Sequence, residues 1–402
     1  MEEIRVIAET IASGDAAPLL EGTLFRSIRG VETKMELVCH AQAMSVLKGF
    51  IIGQKRPECN SALKAVAQAA ANTDGQAAAE RSEYVCRTIA EVPGLLSAVV
   101  EKMKDDVDAV RLVNNLAANS EEGSLLFIRE EGSIEALKVA CTRFKLHAFG
   151  VINHLSRCDE AAKALVQDDF VAQVLLPSLD ASLPTFSNEH EATMARGTLA
   201  LANLTGCEME GCMPENRHVL ATIVKVLDHA ARGVRLASIT WLPPAVLFGL
   251  KNMAGDAKIC MTLVECGLAS ILAGILRGWS ARTGKSTLGL CCEVVDKMSQ
   301  HNDIIQPLWA GGIVTSLASL HEPGRIVDGE YLVMADELRE RIMGRHYAVC
   351  MGLHRRLGER SNLNMIDDNV AFIIMRYAFG TEGASKGAKG ESAPLAVELD
   401  DT

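Results

Sequence analysis

Residues 120–156, SEEGSLLFIREEGSIEALKVACTRFKLHAFGVINHLS, decide the fold, because variants of them recur before and after. They read as three short helices. A polar-capped helix covers about 121–129. Gly132 then breaks the chain, and Ser133 is placed to cap a second helix whose Ile134, Leu137 and Cys141 fall at i, i+3 and i+7. A third runs from about 144 to 155. None of the three is long enough to bury its apolar stripe alone, and a repeated unit solves that by stacking on copies of itself.

Working outward, residues 1–73 read as a degenerate first unit. In the second, Pro93 is expected to open the middle helix, and Ala109, Leu112, Val113 and Leu116 give the third helix an i, i+3, i+4, i+7 stripe. The fourth carries a long loop, LDASLPTFSNEH, before its third helix. The fifth is the least regular. Pro243-Pro244 precedes AVLFGLKNMA, with Pro244 read as the first residue of the last helix. The sixth repeats the opening plan: Gly267 breaks the chain, and Leu268, Ile271, Leu272, Ile275 and Leu276 follow the helical rule. The seventh begins at Asn302, and its last helix is expected only after an insertion at 321–337, whose Pro323-Gly324 and Asp328-Gly329 suggest a small surface hairpin. Capping helices are expected at 359–380 and a disordered acidic tail at 381–402.

Composition agrees with stacked helices. Of 402 residues, 49% are hydrophobic but only 4% aromatic, so the core must be Ala, Leu, Val and Ile at close helix spacing. The net charge of −11 argues against a duplex-binding face. No window reaches the roughly 18 apolar residues of a membrane span. The amino terminus opens on two acids and lacks a secretory signal, which places the protein in the cytoplasm, with the nucleus as a second compartment. Twelve Cys residues, mostly at apolar helical positions, read as small hydrophobes.

Three junctions, FIREEGSIEAL, LVECGLASILAGIL and PLWAGGIVTSLASL, together with the third-helix runs LVNNLAAN, LALANLTG and GLKNMAG, resemble the armadillo repeat superfamily. Clearest are 119–156 and 255–320. The resemblance implies a right-handed α-solenoid of about seven three-helix repeats over 1–358, with the third helices lining a concave groove. The position that holds Asn in the family falls here at Gln68, Asn115, His154, Asn203, Asn252, Lys297 and, loosely, Arg356. In that setting a carboxamide offers donor and acceptor to the backbone of an extended peptide. Capping of its own helix end is the plain alternative for each Asn.

The family's nuclear import adaptors place a Trp four residues earlier. Here those places hold Arg111, Gly150, Leu199, Phe248 and Glu293, which speaks against that cargo class. Arg111, Arg196, Lys251 and Lys297 instead favour an extended, acidic or phosphorylated partner, as in the beta-catenin-like branch. The candidate groove residues are therefore Arg111, Asn115, His154, Arg196, Asn203, Phe248, Asn252 and Lys297. A second reading has the solenoid grip a folded partner, as an exchange factor or co-chaperone does.

No enzyme is suggested. GWSARTGKST, residues 278–287, has one residue too many for a phosphate loop and follows a helix, so Ser286 is read as a helix cap. Cys207, Cys212 and His218 lack a second pair at metal-binding spacing. No cofactor, metal, nucleic acid, membrane or small-molecule substrate is expected; the chain reads as a protein-binding scaffold or adaptor.

Overall fold

The computed structural model describes residues 2–13, 37, 40–52, 56–70, 76–180, 187–206, 216–279, 284–323, 325 and 327–353. The expected helices and tail beyond 353, the Cys207–Cys212 loop and part of the first unit lie outside them. The described residues form 20 α-helices and no strand.

The first unit contributes α1 (Glu2–Ala12), α2 (Ala41–Ile52) and α3 (Arg56–Ala70). The second is α4 (Gln76–Ala90), α5 (Leu95–Met103) and α6 (Val107–Asn119); the third is α7 (Glu121–Arg129), α8 (Ser133–Arg143) and α9 (Lys145–Leu155). In the fourth, α10 (Asp159–Gln167) is followed by a π-helical turn, Val171–Leu175, that runs into α11 (Leu176–Asp180), and then by α12 (Asn188–Leu204). The fifth shows α13 (Arg217–Ala231) and α14 (Pro243–Met253). The sixth is α15 (Ala257–Glu265), α16 (Leu268–Gly278) and α17 (Lys285–Ser299). The seventh is α18 (Asn302–Ala310), α19 (Ile313–Ala318) with a 3-10 turn, Ser319–His321, and α20 (Gly329–Leu353).

The third helices pack in chain order, α3 on α6, α6 on α9, α9 on α12, α12 on α14, α14 on α17 and α17 on α20. The first and second helices of neighbouring units stack likewise, α4 on α7 on α10 and α13 on α16 on α19. That serial contact is the solenoid.

The junction between first and second helices explains why glycine recurs. Gly94, Gly132, Gly267 and Gly312 all sit at the start of a second helix with φ of 72°, 75°, 96° and 83°, the left-handed region where a Cβ is strained. In the fourth unit Asp169 takes this place with φ 57°. Asp visits that region more readily than most side chains, at a cost that Gly would not incur. This geometry corrects three local expectations. Pro93 lies before α5, which starts after Gly94. Ser133 is the first helical residue rather than the cap, and donates its Oγ to Ile128 O at 3.4 Å. Gly284, not Ser286, precedes α17. The true caps are Asp106, Ser120, Ser187, Asn216 and Asp256, whose side chains accept from backbone N–H groups of the first turn. At α14 Pro243 rather than Pro244 begins the helix, where its missing N–H costs nothing.

The expected insertion at 321–337 also changes. Among the described residues of this segment no strand forms; α20 begins at Gly329 and takes in residues 330–337. The reason is a helical stripe that extends past the turn signals: Tyr331 is half-buried and Ala335, Leu338 and Ile342 are buried, at i, i+4, i+7 and i+11 against the preceding units.

Among the described residues two apolar clusters make up the core, one running from Ile7 to Val219 and one from Ala195 to Ile342. They meet at α12. Met194, Ala200, Leu201 and Leu204 face the first cluster, and Ala195, Leu199 and Ala202 the second. Small residues on every side let this helix be covered all round. Phe127, Phe149 and Phe170 are the largest fully buried side chains; truncation of any to Ala costs about 3–5 kcal/mol.

Candidate functional site

The third helices touch so closely because glycine lies where they cross. A Cβ on Gly197 would stand 2.7 Å from the Phe149 ring, and one on Gly249 2.9 Å from Ala202 Cβ. At Gly150 the intruders are polar: Asn114 Oδ1 at 2.2 Å and Arg196 Nη1 at 3.1 Å. Gly150 is therefore a bare floor in α9 over which Asn114 of α6 and Arg196 of α12 converge.

His147 and His154 stand on α9 at i−3 and i+4 from this glycine, on the same helix face. Arg111 Nε donates to His147 Nε2 at 3.2 Å, and Arg111 Nη1 pairs with Asp108 Oδ1 at 2.9 Å. For Nε2 to accept, the imidazole must be neutral with its proton on Nδ1. Its environment holds it so: burial, then the Arg111 and Arg196 cations, pushes the His147 pKa down to about 4. Burial, then Arg157 and Arg196, takes His154 down to about 3. Burial also lowers Arg196, which stays a cation at neutral pH.

Arg196 donates Nη1 to Leu146 O at 2.5 Å, and among the described residues no carboxylate lies within ion-pair distance of it. Asn114 Oδ1 is buried without a hydrogen-bond partner. Units two to four thus present a cation and two neutral imidazoles on one surface. Such a set suits an anionic side chain.

The other expected residues have different surroundings. Asn115 Nδ2 donates to Ala67 O at 2.8 Å, and Asn252 Nδ2 to Asn203 O at 3.0 Å, each one unit back. Where the sequence reading turns Asn203 toward a groove, the structure buries it at 2% exposure, its Nδ2 donating to Ser156 Oγ at 3.0 Å. The close approach of Gly249 is the physical reason, since it leaves no room between α12 and α14 for the carboxamide to turn outward. Leu199, at a family Trp place, is wholly buried, whereas Phe248 is half-buried. These carboxamides tie consecutive third helices, as does Arg345 with Ser299 O, while His301 contacts Ala254 O between the turns that follow α17 and α14. Lys251 is matched by Glu293 at 2.6 Å, and Lys297 is half-buried on the same helix as Glu293.

Sequence reading overlooked His147 and Asn114. Both were findable: His147 is two turns before His154, and Asn114 adjoins Asn115 one turn from Arg111. What sequence could not show was that Gly150 brings them together.

No family model and no curated protein matches the sequence. Solved structures do. A structure described for a phosphorylation switch that controls the interaction between cadherin and beta-catenin is similar over 81% of this chain and 72% of that one, at 12% identity and a TM-score of 0.50. A designed armadillo repeat protein is similar over 74% of this chain and 98% of its own, at 18% identity and a TM-score of 0.35. An engineered protein is similar over 85% and 99%, at 15% identity and 0.39. At 12% identity the first of these likenesses concerns the fold alone, and with the serial packing above it defines the class: an all-α solenoid of armadillo-like three-helix repeats.

Proposed function

We propose that the chain is a non-catalytic protein-interaction scaffold that holds an extended, acidic segment of a partner along the third-helix face of units two to four. The observation that carries this is the Gly150 floor with Arg196 above it, a half-buried cation with no carboxylate partner among the described residues, in a chain of net charge −11. Packed helices lie about 8–10 Å apart. About eight extended residues would therefore cross α6, α9 and α12. Arg111, His147, His154 and Arg196 recognise the anionic side chain, Asn115 offers the partner's backbone an acceptor, and Phe248, Asn252 and Lys297 border the path further along. Asn203 enters as a tie that keeps α9 and α12 in register. The reading is in keeping with a structural neighbour described for the interaction between cadherin and beta-catenin.

Fluorescence anisotropy with a labelled Glu/Ser peptide about twelve residues long tests it. Arg111→Ala with Arg196→Ala is expected to weaken binding at least a hundredfold with helical content unchanged. Equal binding by the double variant would refute the proposal.

A further inference from the structure

A cavity of about 430 Å³ opens between units five and six, away from the third-helix crossings described above. Ala231 of α13, Pro243 at the start of α14, and Ile271, Gly274, Ile275 and Gly278 of α16 line it, and Asp228 and Arg232 pair through two hydrogen bonds at its rim. A cavity of roughly 150 Å³ already holds a benzene ring, so this one has room for more than one large side chain.

Gly274 is the informative residue. It lies inside α16, where glycine weakens a helix relative to alanine. At Gly150, Gly197, Gly249 and Gly311 the chain's own packing requires the missing side chain, because a Cβ would clash. At Gly274 a Cβ meets nothing within 4 Å, and the residue is exposed. Nothing in the chain's own packing requires this glycine. What it leaves is room in the cavity.

The connection from α13 to α14 runs between two residues that line the cavity, Arg232 and Pro243, and is strained. Leu236 and Ile239 exchange backbone hydrogen bonds at 3.0 Å around a two-residue turn in which Ala237 and Ser238 have φ of 50° and 65°. Such turns are ordinarily made by Asn-Gly, and strain of this kind gathers at binding sites. The turn's flanks leave Val234 at 50% and Leu242 at 66% exposure. Arg235, on this turn, and Arg277, beside Gly278 in α16, are exposed. Neither has a carboxylate within ion-pair distance among the described residues. Apolar depth beside two elements that carry exposed cations is complementary to an aliphatic or aromatic anchor flanked by acids.

We infer that this edge of units five and six is a second docking site. Its occupant is a short segment of a partner protein that inserts one or two large apolar side chains into the cavity and sets Asp or Glu against Arg235 and Arg277. This site is separate from the third-helix face and does not depend on its role.

Selection from a displayed library of random dodecapeptides, with the full-length Arg111→Ala/Arg196→Ala chain as bait, tests this without the first site contributing. The expected enrichment is a large apolar residue with acids on either side. The enriched peptide, synthesised, should lose at least tenfold in affinity to Gly274→Leu, which fills the cavity, while the melting temperature stays level or rises. Arg235→Glu with Arg277→Glu should weaken it several-fold. No enrichment, enriched peptides without acids, or undiminished binding to Gly274→Leu would each overturn the inference. So would a homodimer that Gly274→Leu dissociates, or enrichment that appears only once residues 381–402 are removed, because another occupant would then hold the cavity.

Discussion

Units two to four and units five to seven share one architecture and differ in where they leave charge and space. In the first group Arg196 and Asn114 converge on Gly150 between the two histidines of α9, and among the described residues no carboxylate answers Arg196. In the second, two cations of the matching helices are paired: Lys251 with Glu293, and Arg341 with Asp296. Connections between second and third helices differ too. They are short in units two and three, where α8 and α9 are separated only by Phe144, and long from unit four onward, where α13 and α14 are joined through the strained Ala237-Ser238 turn. The difference teaches that a repeat conserves its stacking contacts and is free elsewhere. One half keeps open chemistry on its third-helix face; the other keeps open volume on its edge.

The sharpest way to break this comparison is to exchange the charges. Arg196→Glu should abolish acidic-peptide binding, whereas Lys251→Ala, whose charge is already matched by Glu293, should change it less than about threefold. Equal losses would erase the distinction between the halves.

Next in size is the glycine floor. Gly150→Ala places a Cβ 2.2 Å from Asn114 Oδ1, and should cost about 1–3 kcal/mol in urea unfolding as well as most of the peptide affinity. Gly274→Ala, with open space around its Cβ, should instead stabilise by up to about 1 kcal/mol. The same experiment on the left-handed junction expects Asp169→Gly to gain about 1 kcal/mol, since glycine already serves this junction in units two, three, six and seven.

Acid should act on the first half before the second. The histidine pKa values are lowered in the folded state, to about 4 for His147 and about 3 for His154, against about 6.5 unfolded. Folding therefore excludes protons from both rings. Stability is complete above pH 6.5 and falls as pH drops from there toward 4, with unfolding taking up to about two protons. A series of urea midpoints should show this slope flattened in His147→Gln/His154→Gln. An unchanged slope would mean the rings are not held neutral.

Much of the stacking was legible in the sequence because periodicity and punctuation report directly on burial. Ala109, Leu112, Val113 and Leu116 are all buried as their spacing requires, and Gly132 and Gly267 mark true helix junctions. Where reading failed, two signals competed. Pro93 looked like a helix start, but the left-handed Gly94 had the stronger claim. Pro323-Gly324 and Asp328-Gly329 spell a hairpin, yet the Tyr331–Ala335–Leu338–Ile342 stripe beyond them is paid for by a core already in place, so α20 starts at once. The third-helix face was less legible for another reason. Whether a carboxamide faces a ligand or its neighbouring helix depends on how close the helices come, and that is set by glycines in the adjacent unit, roughly forty to fifty residues away in sequence. Asn203 turns inward because of Gly249, and Arg196 gains its place over α9 because of Gly150.

Hydrogen–deuterium exchange of the full chain with and without the acidic Glu/Ser peptide tests the central claim most directly. Protection should concentrate in Val107–Asn119, Lys145–Leu155 and Asn188–Leu204 and leave Pro243–Met253 and Lys285–Ser299 at their free rates. Protection spread evenly along all the third helices, or confined to those of units five to seven, would contradict it.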